Sequence, residues 1–169
     1  MKRLFVYISC LAALMSCQTQ TGNLSVDDMV ASASKVVTYT TPADLMKTME
    51  SEEIFSVIDV RQSNEHYHGF IPGAVNIPRG SMEFNIGTEA FWETEGLYVP
   101  QKDEMLILYC KKGKRSTLAA QTLMQMGYNK VYVLEGGWKN WELTYPDFCD
   151  KNLEMLAGGP AKHDDGGGC

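Results

Sequence analysis

The chain has little of what a nucleic-acid, metal or membrane-spanning protein needs. Its 15 Lys and Arg are outnumbered by 21 Asp and Glu, for a net charge of -6. Phosphate backbones are bound by basic surfaces, so an acidic average argues against a nucleic-acid partner. Histidine is scarce, with three in all. His66 and His68 stand two positions apart, a spacing that does not put them on one helical face, so no metal site is expected. No cofactor motif and no internal repeat are visible. The longest apolar run, Leu4 to Leu14, is too short to cross a bilayer, which takes about 20 residues. Six prolines and five cysteines leave few chain breakers and no dense disulfide framework.

What is present is ordinary for one compact domain. The 169 residues are 44% hydrophobic and 21% charged, enough apolar material for a core without disulfide staples. The start has the layout of an export signal over residues 1–16: Met1-Lys2-Arg3, the apolar run, then Leu14-Met15-Ser16-Cys17. That ending resembles the lipobox of bacterial lipoproteins, with Met15 a less usual residue at its place. The resemblance implies cleavage before Cys17, lipid on its thiol, and a chain held at a bacterial membrane, facing the periplasm or the cell exterior. Residues 17–34 are expected to be a flexible tether with a short helical turn at Val26–Met29, 35–148 the folded domain and 149–169 a glycine-rich flexible tail. With Cys10 in the leader and Cys17 lipidated, Cys110, Cys149 and Cys169 are left. An odd count in an oxidising compartment suggests at least one free thiol, and pairing of Cys149 with Cys169 stays open.

Between tether and tail, strand-like and helical segments alternate. Strands are expected at Val36–Tyr39, Ile54–Val60, Ala74–Ile77, Met105–Tyr109 and Val131–Leu134. Thr41 should cap a helix with Pro42 in its first turn, and Ser63 should cap a short one. Ser81 to Leu97 reads as helical in part, with Phe84, Phe91 and Trp92 facing the core. A helix over Ser116–Met126 ends at Gly127, and a last one carries Trp138 and Trp141 as core residues. This alternation means a parallel sheet with helices on both faces, whose ligands bind beyond the carboxyl ends of strands. Cys110 falls at such an end.

The chemistry concentrates in Tyr109-Cys110-Lys111-Lys112-Gly113-Lys114-Arg115-Ser116. Gly113 permits a tight loop, and the first turn of the following helix offers unpaired N–H groups and partial positive charge. Lys111, Lys112, Lys114 and Arg115 add full charges. These factors favour a thiolate over a thiol, and an inert buried cysteine has no use for them.

Here the chain resembles the rhodanese sulfurtransferases. Cys110 to Arg115 is similar to their active-site loop. Asp59-Val60-Arg61, with Glu65, Tyr67, Gly69, Ile71-Pro72-Gly73-Ala74 and Asn76-Ile77-Pro78, resembles their N-terminal motif. Gly127-Tyr128 with Val131 to Trp138 resembles their closing strand and helix. Phe70 stands where the family usually has His, a change expected to alter packing more than catalysis. The resemblance covers roughly Val36 to Tyr145 and implies a rhodanese-like α/β fold of about five mainly parallel strands. It implies a Cys110 persulfide, formed from an anionic donor and discharged to a thiol or cyanide acceptor. So basic a loop suits a thiosulfate-like donor better than a mercaptopyruvate-type one. Donor-binding candidates are Lys111, Lys112, Gly113, Lys114, Arg115 and Ser116, with Asp59 and Arg61 as supporting residues. A Cys-dependent phosphatase or arsenate reductase is the rival enzyme. Its loop places Arg six positions after Cys, whereas Arg115 is five after Cys110. A non-catalytic rhodanese-like interaction module is the rival of another class.

Overall fold

The computed structural model describes residues 23–157. The expected signal peptide, Cys17, and the tail from 158 to Cys169 lie outside the described residues.

Five short parallel strands form the sheet: β1 (Thr38–Thr40), β2 (Phe55–Asp59), β3 (Val75–Asn76), β4 (Met105–Tyr109) and β5 (Lys130–Leu134). Their order is β1-β5-β4-β2-β3, which puts β4 in the centre with a neighbour on each side. Side chains of β4 alternate between two cores, as the pleat requires. Leu106, Leu108 and Cys110 face a core completed by Met82, Ile86, Trp92, Ala119, Ala120 and Leu123. Those residues come from α4 (Met82–Asn85), the segment after it, α5 (Glu89–Thr94) and α6 (Lys114–Gln125). Ile107 and Tyr109 face the other core, with Leu45 of α2 (Pro42–Met49) and Trp138 and Trp141 of α7 (Gly137–Thr144). The expected α/β sheet with helices on both faces is therefore present.

Local details differ from expectation for physical reasons. Thr41 does cap α2, accepting from the Asp44 N–H at 3.1 Å, with Pro42 in the first turn. The strands expected over 36–39 and 54–60 are shorter: Val36 and Ile54 lie exposed before the sheet begins, while Val37 and Val60 are buried just outside the paired residues. Gln62, not Ser63, holds the cap position of α3 (Ser63–Tyr67), in a reciprocal pairing with Glu65. Phe84 is a correction: it is 77% exposed, whereas Trp92 is buried and Phe91 packs at the core's margin. The helix α4 that carries Phe84 is a single turn, so one of its sides must face water.

The segment read as a tether contains a helix, α1 (Val26–Ala33), opened by a Ser25–Asp28 capping box and packed on α6. Tyr39 links the two, donating to Ser34 Oγ at 2.9 Å and lying 3.2 Å from Thr117 Oγ1. The near part of the expected tail is likewise held. Phe70 and Asp150 exchange two backbone hydrogen bonds of 2.9 Å, and α8 (Leu153–Leu156) follows against α3. Polar composition alone hid both docking contacts. Among the described residues, no helix is long and apolar enough to cross a membrane.

Candidate active site

Cys110 leaves the end of the central strand and is 2% exposed. Gly113 turns the loop at φ +100°, a conformation that side-chain-bearing residues resist. The turn brings its N–H to 3.2 Å from Cys110 Sγ. Ser116 Oγ lies 3.6 Å from the same sulfur and 2.8 Å from the Gly113 carbonyl oxygen, so its single proton can turn to either. Helix α6 begins at Lys114 rather than Ser116, with Gly113 at its cap. The sulfur therefore sits against a helix N-terminus, where N–H groups favour negative charge.

A second helix fixes the loop from the other side. The α7 N–H groups of Trp138 and Lys139 donate to the carbonyls of Cys110 (2.8 Å) and Lys111 (3.1 Å). Because a trans peptide points its N–H opposite to its C=O, these bonds direct the Lys111 and Lys112 N–H groups away from α7. So close an approach requires Gly137, at φ +61°, because any Cβ there would overlap the Cys110 carbonyl oxygen.

The four expected basic residues do not act alike. Lys111 and Lys112 are exposed, and neither has an ion-pair partner among the described residues. Lys114 Nζ pairs with Asp27 of α1 at 2.6 Å. Arg115 makes a two-pronged pair with Glu65 of α3, at 2.6 and 2.9 Å. That pairing holds the Glu65 carboxyl below its ordinary range. The Glu65 bond, assisted by the nearby Cys110 sulfur, holds the Arg115 guanidinium above its own ordinary value.

Asp59 and Arg61 form a buried cluster beside the loop. Arg61 donates to the Asp59 carboxylate from Nε (2.9 Å) and Nη2 (2.5 Å), and Nη2 also reaches the Gly69 carbonyl at 2.7 Å. His66 Nδ1 lies 2.9 Å from Asp59 Oδ2. Burial opposes the Asp59 charge, but the His66 and Arg61 bonds outweigh it and keep the carboxyl below its ordinary range. Burial and the Asp59 charge push the Tyr109 phenol well above its ordinary value. The Arg61 guanidinium lies over the rings of Trp138 and Tyr109, 4.9 and 5.3 Å from their centroids.

His66 adjoins the site through Asp59, a place that its spacing from His68 in the sequence does not reveal. Phe70, at the position where the resemblance would place His, stacks on it with centroids 4.1 Å apart. Trp138 is buried as expected, but it also walls a cleft of about 310 Å³ together with Arg61, Glu65, His68, Lys111, Lys139 and Glu142.

Fold and loop together define an α/β domain that presents a cysteine between a central strand and a helix N-terminus. The chain belongs to the rhodanese-like domain family, whose sequence model matches residues 41–144. It is 33% identical over 150 residues to thiosulfate sulfurtransferase/rhodanese-like domain-containing protein 3 of Mus musculus, covering 85% of this chain and 92% of that one. It is 35% identical over 91 residues to thiosulfate:glutathione sulfurtransferase of Homo sapiens, covering 50% and 76%. A solved structure from Rhodopseudomonas palustris, of unknown function and described as a possible tyrosine phosphatase, superposes with a TM-score of 0.58 at 30% identity. That match covers 83% of this chain and 96% of the other. The family and these relatives support a function of the sulfurtransferase type.

Proposed function

We propose that the protein is a thiosulfate-type sulfurtransferase working through a Cys110 persulfide. The observation that carries this reading is the cradle at Sγ: the Gly113 N–H at 3.2 Å and the Ser116 hydroxyl at 3.6 Å, at the start of α6. These donors suit an anionic sulfur, whether thiolate or persulfide. In the first step the Cys110 thiolate attacks the outer sulfur of thiosulfate. A bond forms between Sγ and that sulfur as the sulfur–sulfur bond of the donor breaks, and sulfite leaves with the bonding pair. Lys111 and Lys112 draw the dianionic donor to the loop, and Arg115, shared with Glu65, faces the sulfur. A thiol acceptor then discharges the persulfide.

The phosphatase reading has the R. palustris description in its favour. Against it stand the spacing from Cys110 to Arg115 and the commitment of Arg115 to Glu65, since phosphoryl chemistry needs its arginine on the substrate. Intact-mass analysis after thiosulfate treatment tests the proposal. The expected result is a gain of one sulfur in the native chain and none in Cys110→Ser. No gain with any sulfane donor would overturn it, and hydrolysis of an aryl phosphate would favour the phosphatase.

We propose also that the chain is exported and lipidated at Cys17, on the strength of the leader's layout and the Leu14-Met15-Ser16-Cys17 ending. Fatty-acid labelling that is lost in Cys17→Ser is the expected result.

A further inference from the structure

The cradle at Cys110 holds Sγ and leaves the rest of a donor without a partner. Attack on the outer sulfur of thiosulfate runs in line, so the departing sulfite lies on the far side of that sulfur from Sγ. The Gly113 N–H and the Ser116 hydroxyl address Sγ itself. Lys114 and Arg115 are engaged by Asp27 and Glu65. Arg79, which opens a 3-10 turn (Arg79–Ser81) shortly after β3, is not engaged in this way. Its backbone N–H donates to the Val60 carbonyl at 3.2 Å, and the Val60 N–H donates to the Tyr109 carbonyl at 2.9 Å. Arg79 and Cys110 therefore stand at the same carboxyl end of the sheet, about 10 Å or two strand spacings apart, where ligands of parallel sheets bind. They also share a face. Ile77 and Met82, on either side of Arg79 in the chain, are buried in the core that contains Cys110, and the 3-10 turn packs on α6, the helix at the sulfur. The Arg79 Nε is buried and has no hydrogen-bond partner among the described residues. The guanidinium has no ion-pair partner among them either, although Glu83 stands four positions on. A buried charged donor left open costs stability, so a ligand is the natural partner for it.

We infer that Arg79 holds the oxygen-bearing end of the sulfur donor, the group that departs as sulfite. The inference rests on the Cys110 persulfide reading and names a residue that selects its donor. A guanidinium meets two oxygens of such a group with two parallel N–H donors, as it meets a carboxylate. The open Nε–H and a neighbouring Nη–H of Arg79 form that fork. As the Cys110 thiolate makes its bond to the outer sulfur, the sulfur–sulfur bond of the donor breaks. The bonding pair goes to the departing sulfite, whose charge grows during the step. A fixed cation lowers the barrier where charge grows. No proton moves, and no oxidant or reductant other than the donor takes part.

The test uses Arg79→Met and Arg79→Lys in the full chain, with thiosulfate as donor and cyanide as acceptor. The half-reactions are read separately: kcat/KM for thiosulfate reports persulfide formation, and kcat/KM for cyanide reports its discharge. Arg79→Met should lower the thiosulfate value about ten- to hundredfold and leave the cyanide value within about threefold. Arg79→Lys keeps the charge without the fork and should recover part of the loss. The urea midpoint of Arg79→Met should not fall, because the substitution removes an open buried donor. A thiosulfate value within about twofold of native in Arg79→Met would overturn the inference. So would equal losses in both half-reactions or an unfolded Arg79→Met chain, either of which would make Arg79 a support of the fold. Persulfide mass measured on the native chain separates this failure from that of the underlying reading. A native chain that takes no sulfur from any donor sinks both, and one that takes sulfur only from donors without sulfur-bound oxygens sinks the role of Arg79 alone.

Discussion

Charge is used in opposite ways on the two flanks of Cys110. On one flank Asp59, Arg61 and His66 are buried and satisfy one another within about one side-chain length. On the other flank Lys111, Lys112, Lys114 and Arg115 reach toward solvent, and two of them lean on carboxylates from distant parts of the chain. A buried pair cannot fall back on water when broken, whereas an exposed pair can. The same residue types therefore hold the scaffold on one side and shape the field around the sulfur on the other.

Four substitutions or conditions probe that contrast. The largest effect belongs to the sulfur between the flanks. Cys110→Ser should lower sulfur transfer by on the order of 10⁴-fold or more. Its urea midpoint should move by no more than about 1 kcal/mol of stability. Next, Asp59→Asn strands the Arg61 charge in the interior and should cost about 3–5 kcal/mol in urea unfolding. Normal stability with transfer abolished would reverse the roles of the two flanks. Gly137→Ala combines a strained φ of +61° with overlap at the Cys110 carbonyl. It should cost about 1–3 kcal/mol and slow persulfide formation in the same preparation.

The smallest effect is that of pH on the exposed flank. Pairing with Arg115 depresses the Glu65 carboxyl in the folded state, below its ordinary 4.5. Its contribution is therefore fully present above that value and is lost as pH falls through the lower folded-state value. Because the pair is about a third exposed, that contribution is about 0–1 kcal/mol. Asp59 titrates in the same direction, starting from an ordinary value of 3.8. Urea melts of the native chain and Glu65→Gln below pH 5 should converge as pH falls. Divergence would show that Glu65 stabilises through something other than its charge.

The Cys110 loop was legible because its parts are contiguous. Strand, Cys110, Gly113 and helix follow one another in ten residues or so, and local rules cover each. The sheet and its two helical faces were legible from strand and helix alternation. What escaped were pairings made by the fold. Glu65 meets Arg115 and Asp27 meets Lys114 across 50 and 87 positions, so four apparently equal basic residues became two paired and two without an ion-pair partner among the described residues. His66 reached Asp59 through the turn of α3, a geometry that residue spacing alone does not specify. Phe84 was misplaced because apolar character does not fix the direction a one-turn helix faces. The sequence indicates only a helical turn where α1 stands, because the docking that extends it lies in tertiary contacts with α6 and not in its composition.

The bonds from Trp138 and Lys139 to the Cys110 loop have a consequence for biosynthesis. During translation Cys110 emerges well before the residues that lock its backbone. Until residue 139 has left the ribosome and β5 has joined β4, the thiol is present without its clamp. The Cys110 thiol thus passes through every nascent chain as an ordinary cysteine and acquires its setting only when the last third of the domain closes over it.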